Sequence, residues 1–571
     1  MASEIKEADH RASTSDSEAG NVDLLETNDI PGNSDNTLLV VSDSYADLNY
    51  VDINDSDIKS HRGTINALVK KKAKRGNSVT TADDGIAADA NENNGRDDED
   101  VSEHIDNTSG NNVENDSSEV SVDDSQDDCL EQNLADLSLQ ETEDIPVSHL
   151  IRSTSDSDYV NSLEWKQQRK HIFILSDSGK PIYSRHGSED KLVTIMGVMQ
   201  ALVSFVQDSE KDNLRSIVAG DHKFVFMTRD HLTFVGISRG GESTQQLLLQ
   251  LTYMYNQVIS VLTHTTLTRI FKQHRNYDLR RPLSGAEKFF DNLLNLMDVE
   301  PGLLLTSVRC LPLDSSVREV ISQTILQHAK VKDLVFALII AQNQLVALVR
   351  MKRYHLHPMD LHLIINLINA SESFKTAESW TPICLPKFDA GGFLQAHVSY
   401  LDEECQSCLL LLSVDIEAFY ILSECKSRIK ERLIRYNALE AINASLKKRS
   451  YSIQACSITD LRHFLYKARS TAQYTSPEFE TPYHTKEEQE RLFSLYYYLH
   501  DRIHTSGRPL KILFHVGQYE TLLGWVTQGF ELYAVFGPLV TKMTAIHAVN
   551  KLLRWIKREE DRLFILSSAT F

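Results

Sequence analysis

From Lys170 to Leu262 the hydrophobic period changes in a fixed order, and that order constrains the fold more than any single motif. "RKHIFILS" is apolar at strand length, "DSG" follows as a turn in which Gly179 is free to take positive φ, and "KPIYS" returns. Pro181 has no N–H, which suits a sheet edge or a strand start. "SEDKLVTIMGVMQALVSFVQD" then spaces Leu192, Ile195, Met196, Met199, Leu202, Val203 and Val206 at threes and fours, with Ser188 the expected N-cap. Three short strands, "LRSIVAG", "HKFVFMT" and "HLTFVGIS", precede the helix "STQQLLLQLTYMYNQVISVL". Strand, strand, helix, three strands, helix predicts an α+β module: a five-stranded antiparallel sheet with helices packed on it.

A similar run follows. "LLLTSVRCLPL" reads as a strand and "SSVREVISQTILQHA" as a helix, and "DLVFALIIAQNQLVALVRMK" reads as a hairpin turning at Gln342–Asn343. The helix "HPMDLHLIINLINA", the strands "TPICLP", "FLQAHVSYL" and "CLLLLSV", and a long helix from Ile416 to about Leu439 complete it. The third run is strand "SIQAC", helix "DLRHFLYKA", helix "EEQERLFSLYYYLHDRI", strands "PLKILFHV", "ETLLGWVTQ" and "FELYAVFG", helix "TAIHAVNKLLRWIKREED" and strand "RLFILS". No residue-level repeat accompanies the shared order. The expected architecture is three related α+β modules over 165–280, 300–440 and 450–571.

Residues 1–160 differ in kind. Residues 1–150 hold 36 acidic and 10 basic side chains, a balance of −26, while the remainder holds 44 acidic and 49 basic, a balance of +5. A segment so rich in Ser, Asp, Glu and Asn cannot bury enough apolar area to offset its chain entropy, so 1–160 is expected to be a disordered acidic tail. Three islands interrupt it: the apolar "TLLVVSDSYADLNYVDI", the basic run from Lys70 to Arg75, and "CLEQNLADLSLQ", where Leu130, Leu134 and Leu137 share a helical face. Acidic serine clusters such as "STSDSD" are possible kinase targets. The tail's charge beside a slightly basic body suggests that it docks on the body and lowers its activity until released. The first thirty residues lack the apolar stretch of a signal peptide, and the seven cysteines are read as free thiols in a reducing cytosol. No run was judged long and apolar enough to span a membrane.

The chain carries no phosphate loop and no nucleophile elbow. "SRGGES" reads as a tight strand-to-helix turn rather than a phosphate cradle. "CQSC" (Cys405, Cys408) has half a zinc site's spacing without the second pair, and His355, His357 and His362 lack a partner ligand at diagnostic spacing. The expectation is therefore no catalytic residue, no metal and no cofactor. The basic stretches "KQHRNYDLRR" and "RLIRYNALEAINASLKKR" are either solvated faces or patches for anionic lipid or an acidic partner. No aromatic–basic interleaving points to nucleic acid. A binding or scaffold protein fits this pattern.

Three blocks, "HIFILSDSGKPIYSRHGSED…LVTIMGVMQALVSF", "NYDLRRPLSGAEKFFDNLL" and "FKTAESWTPICLPKFDAGGFLQAHVSYL", resemble the SAND/Mon family over about Trp165 to Phe571. That resemblance implies three longin-type domains. It implies a Mon-type subunit that pairs with a Ccz-type subunit through their first longin domains. The pair would be a guanine-nucleotide exchange factor for the late-endosomal Rab GTPase, driving early-to-late endosome conversion and vacuole or lysosome fusion. It further implies a cytoplasmic chain, peripheral on endosomal and vacuolar membranes. Recruitment would come from the early-endosomal Rab and phosphatidylinositol 3-phosphate, and a third subunit would join in animals. Within this frame the expected Rab platform is Ile182, Tyr183, Ser184, Arg185 and His186 with the exposed face of the 188–208 helix, Tyr183 wedging the switch loop and Arg185 pairing with an acidic Rab residue. The partner contact is expected on the Glu242–Leu262 helix or at the sheet edge. The competing reading is a longin-type tether or trafficking adaptor without exchange activity.

Overall fold

The computed structural model describes residues 162–571 other than 449 and 506. The expectations for the 1–160 tail, its three islands and Cys129 lie outside the described residues. A short helix, Leu163–Gln167, is capped by Ser162 and leads into the first sheet. There β1 (Lys170–Ser176) and β2 (Pro181–Ser184) form the hairpin, with Gly179 at φ 75° in its turn. Helix α1 (Val193–Glu210), strands β3 (Ser216–Ala219), β4 (His222–Arg229) and β5 (Leu232–Ser238), and helix α2 (Thr244–Leu262) complete the module. The sheet order is β2-β1-β5-β4-β3, with all pairs antiparallel. Ser188 makes no capping bond; a 3-10 turn, Glu189–Leu192, intervenes before α1.

Every residue of β1 is buried because both faces of the sheet are covered. Side chains alternate across the sheet, so Phe173 and Leu175 meet Met196, Met199 and Val203 of α1, while Ile172 and Ile174 meet Leu247, Leu251 and Met254 of α2. Two connecting helices follow, α3 (His264–Gln273) and α4 (Glu287–Val299), which the sequence reading left unassigned.

The segment 303–313 is not one strand. Pro301–Leu305 is a helical turn, and only Val308–Arg309 is extended, as β6. Next come α5 (Ser315–His328), β7 (Leu334–Ala341), β8 (Gln344–Arg350), α6 (Pro358–Ala370), β9 (Ser379–Leu385), β10 (Ala390–Tyr400) and β11 (Ser407–Ser413). The β7–β8 turn falls at Gln342–Asn343, both at positive φ, as the two-residue hairpin rule requires. The long helix after β11 breaks at Asn437 (φ 54°) into α7 (Phe419–Arg435) and α8 (Ala438–Lys447).

The third run corrects the sequence reading most. The expected strand at 452–456 is instead a 3-10 turn, Ile453–Cys456, and the expected helix at 460–468 is strand β12 (Leu461–Ala468), paired with β16 along its length. Leu461, Phe464 and Leu465 mimic helical spacing because β12 is covered on both faces and buries consecutive residues. Then come β13 (Gln473–Thr475), α9 (Lys486–His504), β14 (Ile512–Val516), β15 (Thr521–Val526), β16 (Phe530–Phe536) and α10 (Lys542–Leu563). With β12 a strand, the third module repeats the strand, strand, helix, three strands, helix order of the first.

The core strand orders are β8-β7-β11-β10-β9 in the second sheet and β13-β12-β16-β15-β14 in the third, matching the first. Each of these two sheets gains a sixth, parallel strand at the same edge. β6 joins β13, and β17 (Ala569–Thr570) joins β8. The expected C-terminal strand at 562–567 therefore does not belong to the third sheet; α10 runs to Leu563, and the chain end closes the second.

Candidate partner-binding surface

The expected Rab platform combines residues 182–186, on β2 and the turn after it, with the exposed face of the 188–208 helix; the side chains of the first part are largely committed inward, while the helix face stays open. Ile182 and Tyr183 belong to the core between the sheet and α2. The Tyr183 ring lies 5.0 Å from Phe290, and its hydroxyl donates to Asp291 Oδ1 at 2.5 Å. Ser184 is buried; its hydroxyl donates to the His186 carbonyl, and its N–H is accepted by Glu189. Arg185 is paired with Asp298 of α4 at 2.6 Å. His186 is half-buried, edge-on to His171. Tyr183 is therefore not placed to wedge a switch loop, nor is Arg185 free to reach an acidic residue of another protein. The helices over the sheet make Tyr183 an inside residue.

The Glu242–Leu262 helix is also unavailable to a partner. Fourteen of the nineteen residues of α2 are buried. It lies among the other modules: Tyr253 Oη bonds His362 Nδ1 at 2.9 Å, Gln257 Oε1 accepts from Asn366 at 2.7 Å, and Gln246 donates to the Tyr497 carbonyl at 2.8 Å.

Helix α1 is the opposite case. Only Met196, Met199 and Val203 of its eighteen residues are buried. No charge occurs between Lys191 and Asp208. Its outer face presents Val193, Val198, Leu202 and Phe205, the last 69% exposed. Gly197 and Ala201 lie among them, and a Cβ at Gly197 would meet nothing within 4 Å. This is the one helix, among the described residues, long and apolar enough to cross a membrane by length and composition. Its inner residues nevertheless pack on the sheet, as part of a folded module. The adjoining edge strand β3 is short, uncharged and largely exposed, with Val218 outward. An uncharged helix face beside an open strand edge is what a protein partner covers. Each half-exposed apolar side chain buried there contributes on the order of 1 kcal/mol.

The other candidates resolve as structure. In the "SRGGES" turn the Glu242 carboxylate lies where an anion would, bonded by Ser238 at 2.5 Å and Lys170 at 2.6 Å. Burial opposes ionisation of that carboxyl, but the charge and hydrogen bond of Lys170, with the bond from Ser238, hold it below its ordinary range. His362 bridges Tyr253 and the Ser307 carbonyl, His357 caps α6, and His355 is exposed, so the three do not converge. Cys408 is buried in β11, and the six described cysteines are all free. Of the basic stretches, Arg280 pairs with Asp278 and Asp190, while Arg435 pairs with Glu431 one turn away.

Comparison with known proteins agrees with this architecture. Profiles described as the first, second and third longin domains of FUZ, MON1 and HPS1 match residues 170–293, 332–431 and 460–560. The chain is 51% identical over 421 residues to the vacuolar fusion protein MON1 homolog A of Gallus gallus, covering 74% of this chain and 76% of that one. It is 51% identical over 420 residues to protein SAND of Takifugu rubripes, covering 74% and 80%. To human MON1 homolog B it is 43% identical over 422 residues, covering 70% and 76%. With its three longin domains in order and relatives at half identity across most of their length, the chain belongs to the MON1 (SAND) family of vacuolar fusion proteins.

Proposed function

We propose that this chain is one subunit of a two-chain guanine-nucleotide exchange factor for the late-endosomal Rab GTPase, and that it pairs with a Ccz-type subunit through the outer face of α1 and the neighbouring β3 edge. The observation that carries the pairing is the uncharged apolar face from Val193 to Phe205, on a module whose other helix is buried. The name of its relatives, vacuolar fusion proteins, directs the reading to endosomal and vacuolar membranes. There the pair acts as a peripheral complex, recruited by the early-endosomal Rab and by phosphatidylinositol 3-phosphate, with a third subunit in animals.

Exchange breaks no covalent bond. The factor binds the nucleotide-free GTPase more tightly than the loaded one, and each 1.36 kcal/mol of that difference raises GDP release about tenfold. Such work requires a shaped surface rather than an acid–base pair. The Rab platform in this reading is formed by the paired first modules. Its share from this chain is the exposed turn after β2, around His186, with Tyr183 and Arg185 as positioning residues that fix β2 to α4.

The test is fluorescent-GDP release from the late-endosomal Rab with this chain, with its Ccz-type partner, and with both. Acceleration only with both supports the exchange reading. Rab binding by a well-formed pair without faster release would replace it with the tether reading.

A further inference from the structure

We propose that His500, His504 and Glu531 form a binding site for a divalent transition metal of the zinc class, joining α9 to β16 in the third longin domain. His500 and His504 stand one turn apart on α9, so both imidazoles project from one helix face, with ring centres 4.4 Å apart. Glu531 faces them from β16. One ligand atom from each of the three lies within 4.8 Å of the others, with His500 and Glu531 buried and His504 half-buried.

The spacing suits a shared ion better than a direct bond. His504 Nε2 lies 3.5 Å from Glu531 Oε2, long for a charge-assisted hydrogen bond. Two ligands about 2.0–2.1 Å from one tetrahedral ion stand roughly 3.3–3.4 Å apart. The carboxylate is oriented for the task. Its Oε1 is held by Lys467 Nζ at 3.0 Å and faces Arg469 at 3.6 Å, which leaves Oε2 toward the imidazoles. Tyr533 Oη touches both Glu531 Oε2 (3.2 Å) and His504 Nε2 (2.9 Å) and becomes an outer-sphere partner when the metal takes the His504 lone pair. Two nitrogens and one oxygen with a fourth position for water select zinc over magnesium or calcium. The opposing consideration is charge: Lys467 and Arg469 already neutralise Glu531. They weaken the site electrostatically, and a Lys467→Met variant is expected to bind more tightly.

The test uses the full-length chain, stripped with a chelator and titrated with Co²⁺ as the spectroscopic probe and Zn²⁺ as competitor. The wild type is expected to take up one equivalent with a visible tetrahedral d–d band, displaced by Zn²⁺ and lost or at least tenfold weaker in His504→Gln and His500→Gln. Its thermal midpoint is expected to rise with Zn²⁺, and those of the variants are not. The free cysteines contribute equally to all chains, so the difference of one equivalent is the reading. If His500→Gln fails to fold, the half-buried His504→Gln and the wild-type thermal shift decide. Absence of uptake by the wild type, or equal uptake in wild type and variants, overturns the site and leaves a hydrogen-bonded His–Tyr–Glu cluster.

Discussion

Helices α1 and α9 hold the same position in homologous modules, between the second and third strands, yet their outer faces have opposite chemistry. Helix α9 opens on Lys486, Glu487 and Glu488, is held by a Thr485–Glu488 capping box, and pairs Glu490 with Arg169 of the first module. Helix α1 has no capping side chain and no charge for fifteen consecutive residues, Val193 to Gln207. Their inner faces are alike: Met196, Met199 and Val203 serve one sheet as Leu492, Tyr496 and Leu499 serve the other. Fold alone therefore does not require an apolar exterior at this position. The corresponding helix of the second module, α6, is also rich in apolar residues, but nine of its thirteen residues are buried. A helix that is apolar on every side is normally an interior helix. By that standard, the exposed outer face of α1 is the exception, and the proposed pairing would bury it.

Substitutions in the first module sharpen the contrast between its buried helix and its open one. Leu251→Ala in α2 removes a fully buried side chain from the core and is expected to cost about 2–5 kcal/mol in urea unfolding. Tyr253→Phe leaves His362 Nδ1 without its partner in a buried site and is expected to cost about 1–3 kcal/mol, measured the same way. An acid titration of stability probes the other end of α2. The bonds from His264 and from Tyr255 hold the Asp230 carboxyl down to about 2. A depressed carboxyl stabilises the fold above its unfolded pKa and loses that contribution as pH falls through the folded value. Stability is thus expected to fall between about pH 4 and pH 2, and Asp230→Asn to flatten that slope by about 1 kcal/mol after allowance for its partial exposure. Phe205→Asp on α1 is expected to change stability by less than about 0.5 kcal/mol, since the ring touches solvent. A large loss there would mean that Phe205 serves its own fold and would break the contrast.

Much of this was legible in the sequence. Strand and helix order located the first module, and Gln342–Asn343 marked a turn that needs two residues at positive φ. The 461–468 segment misled because a strand covered on both faces shows no alternation, and Leu461, Phe464 and Leu465 happen to sit at helical spacing. The strands β6 and β17 are two residues long and have no periodicity to detect; their place is set by partners 165 and 220 residues away, as Gln473 meets Val308 and Ala569 meets Val349. The site was harder. Sequence places Tyr183 on a strand but not under α4. The exposed face of α1 was legible as a binding surface, but the signal that sets it apart, the absence of charge along it, is visible in the letters and was not used.

The central claim is that the outer face of α1 is where the Ccz-type subunit docks. Its most direct test is association of the two purified chains by analytical ultracentrifugation, wild type against Val198→Asp/Phe205→Asp, with Arg502→Asp on α9 as the matched control. A loss of at least a hundredfold in affinity for the α1 variant, with unchanged thermal midpoint and an unaffected control, is the predicted result. Wild-type affinity in the α1 variant would contradict the account.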